Sequence, residues 1–151
     1  MSNVRVNASE IQDAIRQVQL RFSVFYGRSL ARSGVTLRQF SVLVLLAKEG
    51  QQRMTDIRRG LQVSLPAVTH LVDQLVKRRC VRRIPDRGDR RVTWITFTPH
   101  GRRLTAQTQG KTLKLLTRLW LEFPSGERKV VARWFRSMAS VLDGAIQRMD
   151  G

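Results

Sequence analysis

Residues 64–101, SLPAVTHLVDQLVKRRCVRRIPDRGDRRVTWITFTPHG, constrain the fold of this chain more than any other segment. The first half has the apolar spacing of an amphipathic helix, and the second half contains two short runs with the pattern of β-strands. An arginine-rich tip around Gly88 joins the two runs, because glycine permits a tight turn. This order of helix, strand, basic hairpin and strand is suited to placing a helix in one groove of duplex DNA and a cationic finger in the next.

The charge of the chain is strongly positive and unevenly distributed. The formal net charge is +17 over 151 residues. Between Gln51 and Arg103 there are 13 Lys and Arg against 4 Asp and Glu, whereas the other 98 residues carry 15 against 7. A positive field attracts polyanions, so its concentration on the helix and hairpin segment favours double-stranded DNA as the partner. A solubilising surface and a membrane-surface binder are the alternative explanations of the charge.

The cysteine content and the hydropathy pattern indicate a compartment. The single cysteine, Cys80, excludes an intramolecular disulfide and favours a reducing compartment. The first residues, MSNVRVNASEIQDAIRQ, lack the apolar segment of a signal peptide, and no run approaches 18 apolar residues. We therefore expect a cytoplasmic protein that has no contact with a membrane.

Hydrophobic periodicity and capping residues predict six helices and two strands. In chain order they are a helix over about 8–33, a second between the cap Thr36 and the stop Gly50, a third over about 55–61, a fourth capped by Ser64, strands over 81–84 and 92–97, a fifth helix from Thr98-Pro99, and a sixth that ends near Met149. We expect the buried face of the second helix to consist of Phe40, Leu43, Val44, Leu46 and Ala47. In the fourth helix we expect Val68, Leu71, Val72 and Leu75 to face the core.

These elements predict a mainly α (α+β) fold, a winged helix-turn-helix flanked by long terminal helices. The DNA-binding lobe is expected at 35–99, with an N-terminal dimerisation helix at 1–34 and C-terminal dimerisation helices at 100–151. The lobe has enough apolar residues to form its own core. The apolar stripes of the flanking helices would therefore stay exposed to water unless something else packs on them. A homodimer supplies one, and a two-fold dimer suits paired half-sites in DNA. The alternative is a monomer whose terminal helices fold back on its own core.

Three segments, TLRQFSVLVLLAKEG, SLPAVTHLVDQLVKRR and VRRIPDRGDRRVTWITFTPHG, resemble the MarR family of bacterial winged-helix transcription regulators. The most specific parts are the wing triplet Asp89-Arg90-Arg91 and the Thr98-Pro99-His100-Gly101 sequence that opens the next helix. The resemblance implies that the terminal helices form a dimer interface. It also implies that small anionic or phenolic effectors relieve repression.

Three positions depart from the family pattern. Gln62 and Arg79 stand in turns where the family usually has glycine, which adopts a left-handed backbone at almost no cost. Arg58 replaces a small apolar residue that normally packs inside the motif. These departures leave the fold prediction unchanged but bear on the register in which DNA is contacted.

The fourth helix is expected to enter the major groove with its N-terminal turn foremost. Its candidate DNA contacts are Ser64, Leu65, Pro66, Ala67, His70 and Gln74, followed by Lys77 and Arg78 for phosphate. Of these, His70 and Gln74 have the polar groups that bond base edges, whereas the apolar residues are suited to thymine methyl groups. Ser64 as a simple helix cap and His70 as a merely solvated side chain are the alternatives.

The hairpin tip is expected to enter the minor groove, where the delocalised charge and the fork of arginine are favourable. Arg87 is one candidate. The family resemblance implies that Arg90 or Arg91 enters the groove while Asp89 braces an arginine side chain. An exposed charged turn with no role is the alternative.

Two further hypotheses concern regulation. A small-molecule pocket is expected where the first, second and fifth helices meet the DNA-binding lobe. Its expected lining residues are Phe22, Phe25, Tyr26 and Trp120, with Arg28 or Arg32 as a partner for an anion. Core packing explains these aromatic residues equally well. Cys80 lies among arginines that favour its thiolate if the side chain is exposed, which would permit a redox switch. The alternative is that Cys80 fills an apolar slot between helix and strand.

Enzymatic function has little support in the sequence. Two histidines and one cysteine give no metal-ligand spacing, and no phosphate-binding loop or nucleophile elbow is present, so no cofactor is expected. We expect a sequence-specific regulator, more a repressor than an activator. A low-specificity architectural DNA-binding protein and a protein-interaction module with an acidic partner are the alternatives.

Overall fold

The computed structural model describes residues 7–89 and 92–149 of the chain. In chain order the elements are α1 (Ala8–Leu30) with a 3₁₀ turn (Ala31–Ser33), α2 (Leu37–Glu49), β1 (Gln52–Arg53), α3 (Met54–Leu61), α4 (Leu65–Lys77), β2 (Val81–Pro85), β3 (Thr93–Phe97), α5 (Pro99–Glu122) and α6 (Arg128–Met149). The chain divides into two compact units after Gln109. The predicted class, a mainly helical winged helix-turn-helix, is confirmed.

Side-chain caps determine where the helices of the first unit begin. At the start of α2, Thr36 Oγ1 accepts a hydrogen bond from Gln39 N at 3.3 Å, and Gln39 Oε1 accepts one from Thr36 N at 3.0 Å. At the start of α4, Ser64 Oγ accepts from Ala67 N at 3.4 Å. These bonds satisfy backbone donors that have no partner inside a helix, so both predicted caps are confirmed.

The wing belongs to a three-stranded antiparallel sheet with the strand order β1-β3-β2. Strand β2 pairs with β3 from Val81 opposite Phe97 to Pro85 opposite Thr93, as a hairpin requires. The strand β1 was not predicted. With two residues, Gln52 and Arg53, it is too short to show a period-two pattern, and only its pairing with β3 identifies it.

The core of the first unit lies between the helices and the inner face of the sheet. Its fully buried side chains include Val42 and Leu43 from α2, Ile57 from α3, Val68, Val72 and Leu75 from α4, and Ile95 from β3. For α4 the predicted inner face is confirmed, with Leu71 half-buried at its edge. The prediction for α2 was partly wrong. Val44 and Ala47 are exposed, because the buried stripe follows positions 39, 40, 42, 43 and 46.

Two residues take the left-handed backbone conformation in place of glycine. Gln62 after α3 has φ 52° and Arg79 after α4 has φ 54°. Each lies in a turn that closes on the preceding helix, since Val63 N donates to Arg58 O and Cys80 N donates to Leu75 O. A side chain in this conformation costs about 1–2 kcal/mol. Both turns therefore adopt the left-handed conformation that favours glycine, although neither position is a glycine. The Arg58 side chain lies exposed.

The opening of α5 explains the Thr-Pro-x-Gly sequence. Thr98 N donates to Cys80 O at 3.0 Å, and Thr98 Oγ1 accepts from Gly101 N at 3.1 Å. A Cβ at Gly101 would lie 1.9 Å from Cys80 O, a distance that only glycine avoids. The motif therefore fixes the start of α5 against the turn that follows α4.

The second unit consists of the C-terminal half of α5, a short turn and α6. Arg128 Nε donates to Phe123 O at 3.0 Å and ties α6 to the end of α5. None of the α6 side chains is buried within the chain, and Trp134, Phe135, Val141 and Leu142 are all exposed.

Among the described helices, none is by itself long and apolar enough to cross a membrane. Only α1 with its 3₁₀ turn and α2 taken together reach that length and composition, and they meet at a bend of 85°.

Candidate nucleic-acid interface

Helix α4 presents the face that was expected to contact base edges. Leu65, Pro66 and His70 are exposed, and Ala67 and Gln74 are half-buried. The Ser64 hydroxyl serves as the helix cap, yet its own proton remains available for a phosphate oxygen. The cap and the phosphate contact are therefore compatible.

The hairpin between β2 and β3 is held by one carboxylate. Asp86 Oδ1 accepts hydrogen bonds from Gly88 N at 2.8 Å and Asp89 N at 3.0 Å, and Asp86 Oδ2 accepts from Trp94 Nε1 at 2.7 Å. The bond from Trp94, together with the two backbone bonds, lowers the pKa of Asp86 below its ordinary value. This carboxylate therefore joins residues 88 and 89 of the hairpin tip to Trp94 of β3.

A cation–aromatic contact packs against the tryptophan that bonds Asp86. The Arg53 guanidinium lies 4.8 Å from the centre of the Trp94 ring, which places β1, β3 and the hairpin tip in one cluster. The sequence analysis did not identify Asp86 or Trp94 as functional. The Asp-x-Gly spacing at residues 86–88 was a usable signal, since an aspartate before glycine favours a side-chain-capped turn. No sequence pattern predicted the hydrogen bond from the Trp94 indole to Asp86.

The basic residues expected at DNA have different surroundings. Arg87 and Lys77 are exposed, as are Gly88 and Asp89 at the hairpin tip, whereas Arg90 and Arg91 lie outside the described residues. Arg78 Nε donates to Gly34 O at 2.8 Å, and Arg78 Nη1 donates to Gln74 Oε1 at 3.2 Å. Arg78 thus bonds within the chain, whereas Lys77 projects into solvent.

The surroundings of Cys80 favour a packing role. Its side chain is fully buried, and burial raises the pKa of the thiol, with Arg78 opposing the rise. The thiolate argument required an exposed sulfur, and the structure does not provide one. Cys80 instead fills the apolar slot between α4 and β2.

Three of the aromatic residues predicted to line a pocket, Phe22, Phe25 and Tyr26, form a cluster on α1 with Phe40 of α2. Ring centroids lie 6.4 Å apart for Phe22 and Tyr26, 5.5 Å for Phe25 and Tyr26, and 5.9 Å for Tyr26 and Phe40. An open cleft of about 360 Å³ beside this cluster is lined by Tyr26, Leu37, Phe40, Ser41, Val44, Leu45, Lys48, Gly60 and Leu61. Arg28 is exposed on α1, and Trp120 lies on the part of α5 that belongs to the second unit.

A second open cleft, of about 420 Å³, lies beside α4. Its lining combines apolar side chains with two basic residues, and it comprises Arg38, Ser41, Leu61, Val63, Ala67, His70 and Leu71.

In the part of the chain that the structure describes, no group of three His, Cys, Asp or Glu side chains is arranged to hold a metal ion.

Comparison with known proteins agrees with this geometry. The model of the MarR family matches residues 35–93, which include α2, α3, α4, β2 and the hairpin. Residues 35–93 therefore carry a MarR-family domain. The transcriptional regulator AdcR of Streptococcus pyogenes is 25% identical over 139 residues, which cover 89% of this chain and 92% of AdcR. The transcriptional repressor MdtR of Bacillus subtilis is 29% identical over 93 residues, 62% of this chain and 60% of MdtR.

A solved MarR-type structure extends the similarity to nearly the whole chain. FabT of Streptococcus pneumoniae, crystallised in complex with DNA, superposes with a TM-score of 0.83 over 92% of this chain and 99% of its own. At 14% identity this likeness shows the fold alone. The relatives that match in sequence are transcriptional regulators, which are not enzymes.

Proposed function

We propose that this MarR-family chain is a sequence-specific, double-stranded-DNA-binding transcriptional repressor. Helix α4 enters the major groove and the hairpin between β2 and β3 enters the minor groove. The observation that carries the proposal is the joint arrangement of these two elements. Both pack on one buried core and both expose basic or polar side chains, and Asp86 bonds Gly88 and Trp94 at the base of the hairpin.

The contacts are assigned by position and chemistry. The proposed major-groove residues are Ser64, Leu65, Pro66, Ala67, His70 and Gln74, with Lys77 on phosphate. The proposed minor-groove residues are Arg87, Arg90 and Arg91, with Asp89 in the same turn. The DNA complex of FabT supports this use of the fold, and the name of MdtR supports repression.

The exposed apolar residues of the second unit support a homodimer. Trp134 is 48% exposed, Phe135 53% and Val141 67%. Large contiguous apolar patches are uncommon on monomeric proteins, and a partner copy would remove them from water. We assign the segments 1–34 and 100–151 to dimerisation and 35–99 to DNA binding in the cytoplasm.

An effector site is proposed at the cleft beside Tyr26. Its apolar wall and the tyrosine hydroxyl suit a small phenolic or anionic compound, with Lys48 at its rim. Binding there would shift α1 against α2 and weaken DNA binding. Titration of the DNA complex with simple phenolic acids tests this assignment, and Tyr26→Leu should abolish any release that they cause.

One experiment tests the function itself. Genomic duplex fragments, including the region upstream of the chain's own gene, are titrated across a salt series with random DNA as competitor. A few fragments should bind about 10³-fold more tightly than random DNA.

Uniform binding that weakens steeply with salt would contradict the proposal. That result would favour the second candidate function, a low-specificity architectural protein. The net charge of +17 and the apolar N-terminal turn of α4 are the observations in its favour.

A further inference from the structure

The Arg78 side chain connects two parts of the DNA-binding lobe that are far apart in sequence. It stands at the C-terminal end of α4, and its Nε donates to the carbonyl oxygen of Gly34 at 2.8 Å, 44 residues away. Its Nη1 donates to Gln74 Oε1 at 3.2 Å, one helical turn earlier. One guanidinium group therefore bonds both the junction before α2 and a side chain proposed to contact a base.

The bond to Gln74 has a chemical consequence for DNA contact. A guanidinium group has only donors, so it can bond the oxygen of an amide but never its NH₂ group. The Gln74 amide must therefore turn Oε1 toward Arg78, which leaves Nε2 available elsewhere. Recognition of adenine by glutamine requires one defined orientation of the amide, because the oxygen and the nitrogen pair with different base atoms. Arg78 thus selects one of two possible amide orientations in advance.

The other end of the connection is fixed to the core. Gly34 has φ 63°, and its neighbour Val35 is buried at 5% exposure, as is Leu30 at 1%. Its carbonyl is consequently held in place by a turn whose flanks are packed. Arg83 of β2 also forms an ion pair with Asp73 of α4 at 2.8 Å. Two arginines therefore bond α4 to other parts of the same lobe.

We propose that Arg78 is a positioning residue for base recognition, acting through Gln74, and that it is not a phosphate-binding residue. This inference rests on the proposed function and revises the phosphate role expected from the sequence. Two of its three guanidinium nitrogens already have acceptors inside the chain. These two bonds fix the plane of the guanidinium group, so a phosphate could use only the three remaining N–H groups without breaking them.

The test compares a charge-conserving variant with a matched control. A duplex is selected from a random library by the wild-type protein, and affinities for it and for a scrambled duplex are measured across a salt series. Arg78→Lys keeps the charge but loses the fork that bonds Gly34 and Gln74 together. We expect Arg78→Lys to lower the ratio of selected to scrambled affinity about tenfold, with an unchanged salt slope.

The neighbouring Lys77→Ala variant is the control for a phosphate contact. It should weaken binding to both duplexes equally and lower the salt slope by about one. Gln74→Ala should reproduce the loss of discrimination, and the double variant Gln74→Ala with Arg78→Lys should lose no more than either single variant. Arg78→Lys with wild-type discrimination would overturn the inference. Equal weakening of both duplexes with a lower salt slope in Arg78→Ala would overturn it as well.

A measurement on the free protein separates this inference from the proposed function. The side-chain amide signals of Gln74 in a ¹⁵N-resolved spectrum should move in Arg78→Lys and stay unchanged in Lys77→Ala, while thermal melts confirm that both variants fold. Unmoved Gln74 signals would overturn the role of Arg78. If the wild type itself does not discriminate between duplexes, the proposed function fails and base positioning fails with it. If only the Arg78 variants behave as phosphate contacts, the inference fails and the function stands.

Discussion

The two units of this chain differ in how far they bury their apolar side chains. In the first unit, residues such as Leu43, Ile57 and Val72 are fully buried among helices and sheet of the same chain. In the second unit, α6 buries none of its residues within the chain, and Trp134 and Val141 remain exposed. The lobe therefore has the means to be stable by itself, whereas the apolar stripe of α6 is suited to a partner. Substitutions in the two units should accordingly affect different measurements.

The largest expected effect is on folding of the first unit. Gly101→Ala places a Cβ 1.9 Å from the Cys80 carbonyl oxygen, so the backbone must shift. We expect a loss of about 3 kcal/mol in the free energy of unfolding, measured by urea denaturation. Gly110→Ala on the same helix is the control, because no atom lies within 4 Å of its added Cβ. It should be neutral or stabilise by up to about 1 kcal/mol. Equal effects of the two variants would contradict the close approach.

The next effect concerns assembly and should leave the lobe folded. Val141→Asp places a charge on the exposed apolar stripe of α6. We expect the proposed dimer to dissociate about 100-fold more readily, a change of about 2.7 kcal/mol, measured by sedimentation equilibrium. Gln147→Asp, on another side of α6, should leave the association unchanged. If the wild-type protein is monomeric at micromolar concentrations, the proposal that the second unit buries its apolar residues against a second copy is contradicted.

A smaller effect, of opposite sign, is expected at the left-handed turns of the first unit. Gln62→Gly and Arg79→Gly should each raise the free energy of unfolding by about 0.5–1 kcal/mol, since glycine relieves the positive φ but gains entropy when unfolded. Thermal denaturation followed by circular dichroism checks this. Arg59→Gly inside α3 should instead destabilise by about 1 kcal/mol. A destabilised Gln62→Gly would show that its side chain makes a contribution that outweighs the backbone strain.

The smallest effect is the pH dependence of the wing. The pKa of Asp86 is lowered in the folded chain, chiefly by the bond from Trp94. Its contribution is therefore present above the unfolded pKa of about 3.9 and is lost as the pH falls through the lower folded value. The indole N–H resonance of Trp94 should move toward the position of a solvated indole below about pH 4. In Asp86→Asn that pH-dependent movement should disappear. An unchanged acid titration in this variant would assign the movement to another carboxylate.

Sequence reasoning succeeded where the cause is local. The caps Thr36 and Ser64 were predictable because each helix start depends on a side chain within three residues. The inner face of α4 followed from a regular period of apolar residues. In each of these cases the deciding interactions lie within about one helical turn.

The features that were predicted wrongly or not predicted at all depend on contacts between distant parts of the chain. The two-residue strand β1 exists because Gln52 and Arg53 find partners on β3. The stripe of α2 was misassigned because two neighbouring apolar stripes are present, and only packing selects between them. The bond from Trp94 to Asp86 spans the hairpin, and the bond from Arg78 to Gly34 spans 44 residues.

The sequence by itself determined the class of fold, the positions of the helices and the positive charge of the segment proposed to bind DNA. These properties follow from periodicity, capping and composition, which depend on neighbours along the chain. Only the tertiary structure decided that Asp86 organises the wing, that Cys80 is buried, and that Arg78 bonds Gly34 and Gln74. The reason is geometric. A polar side chain with several possible partners takes the one that folding brings within about 3 Å, and no local pattern specifies that choice.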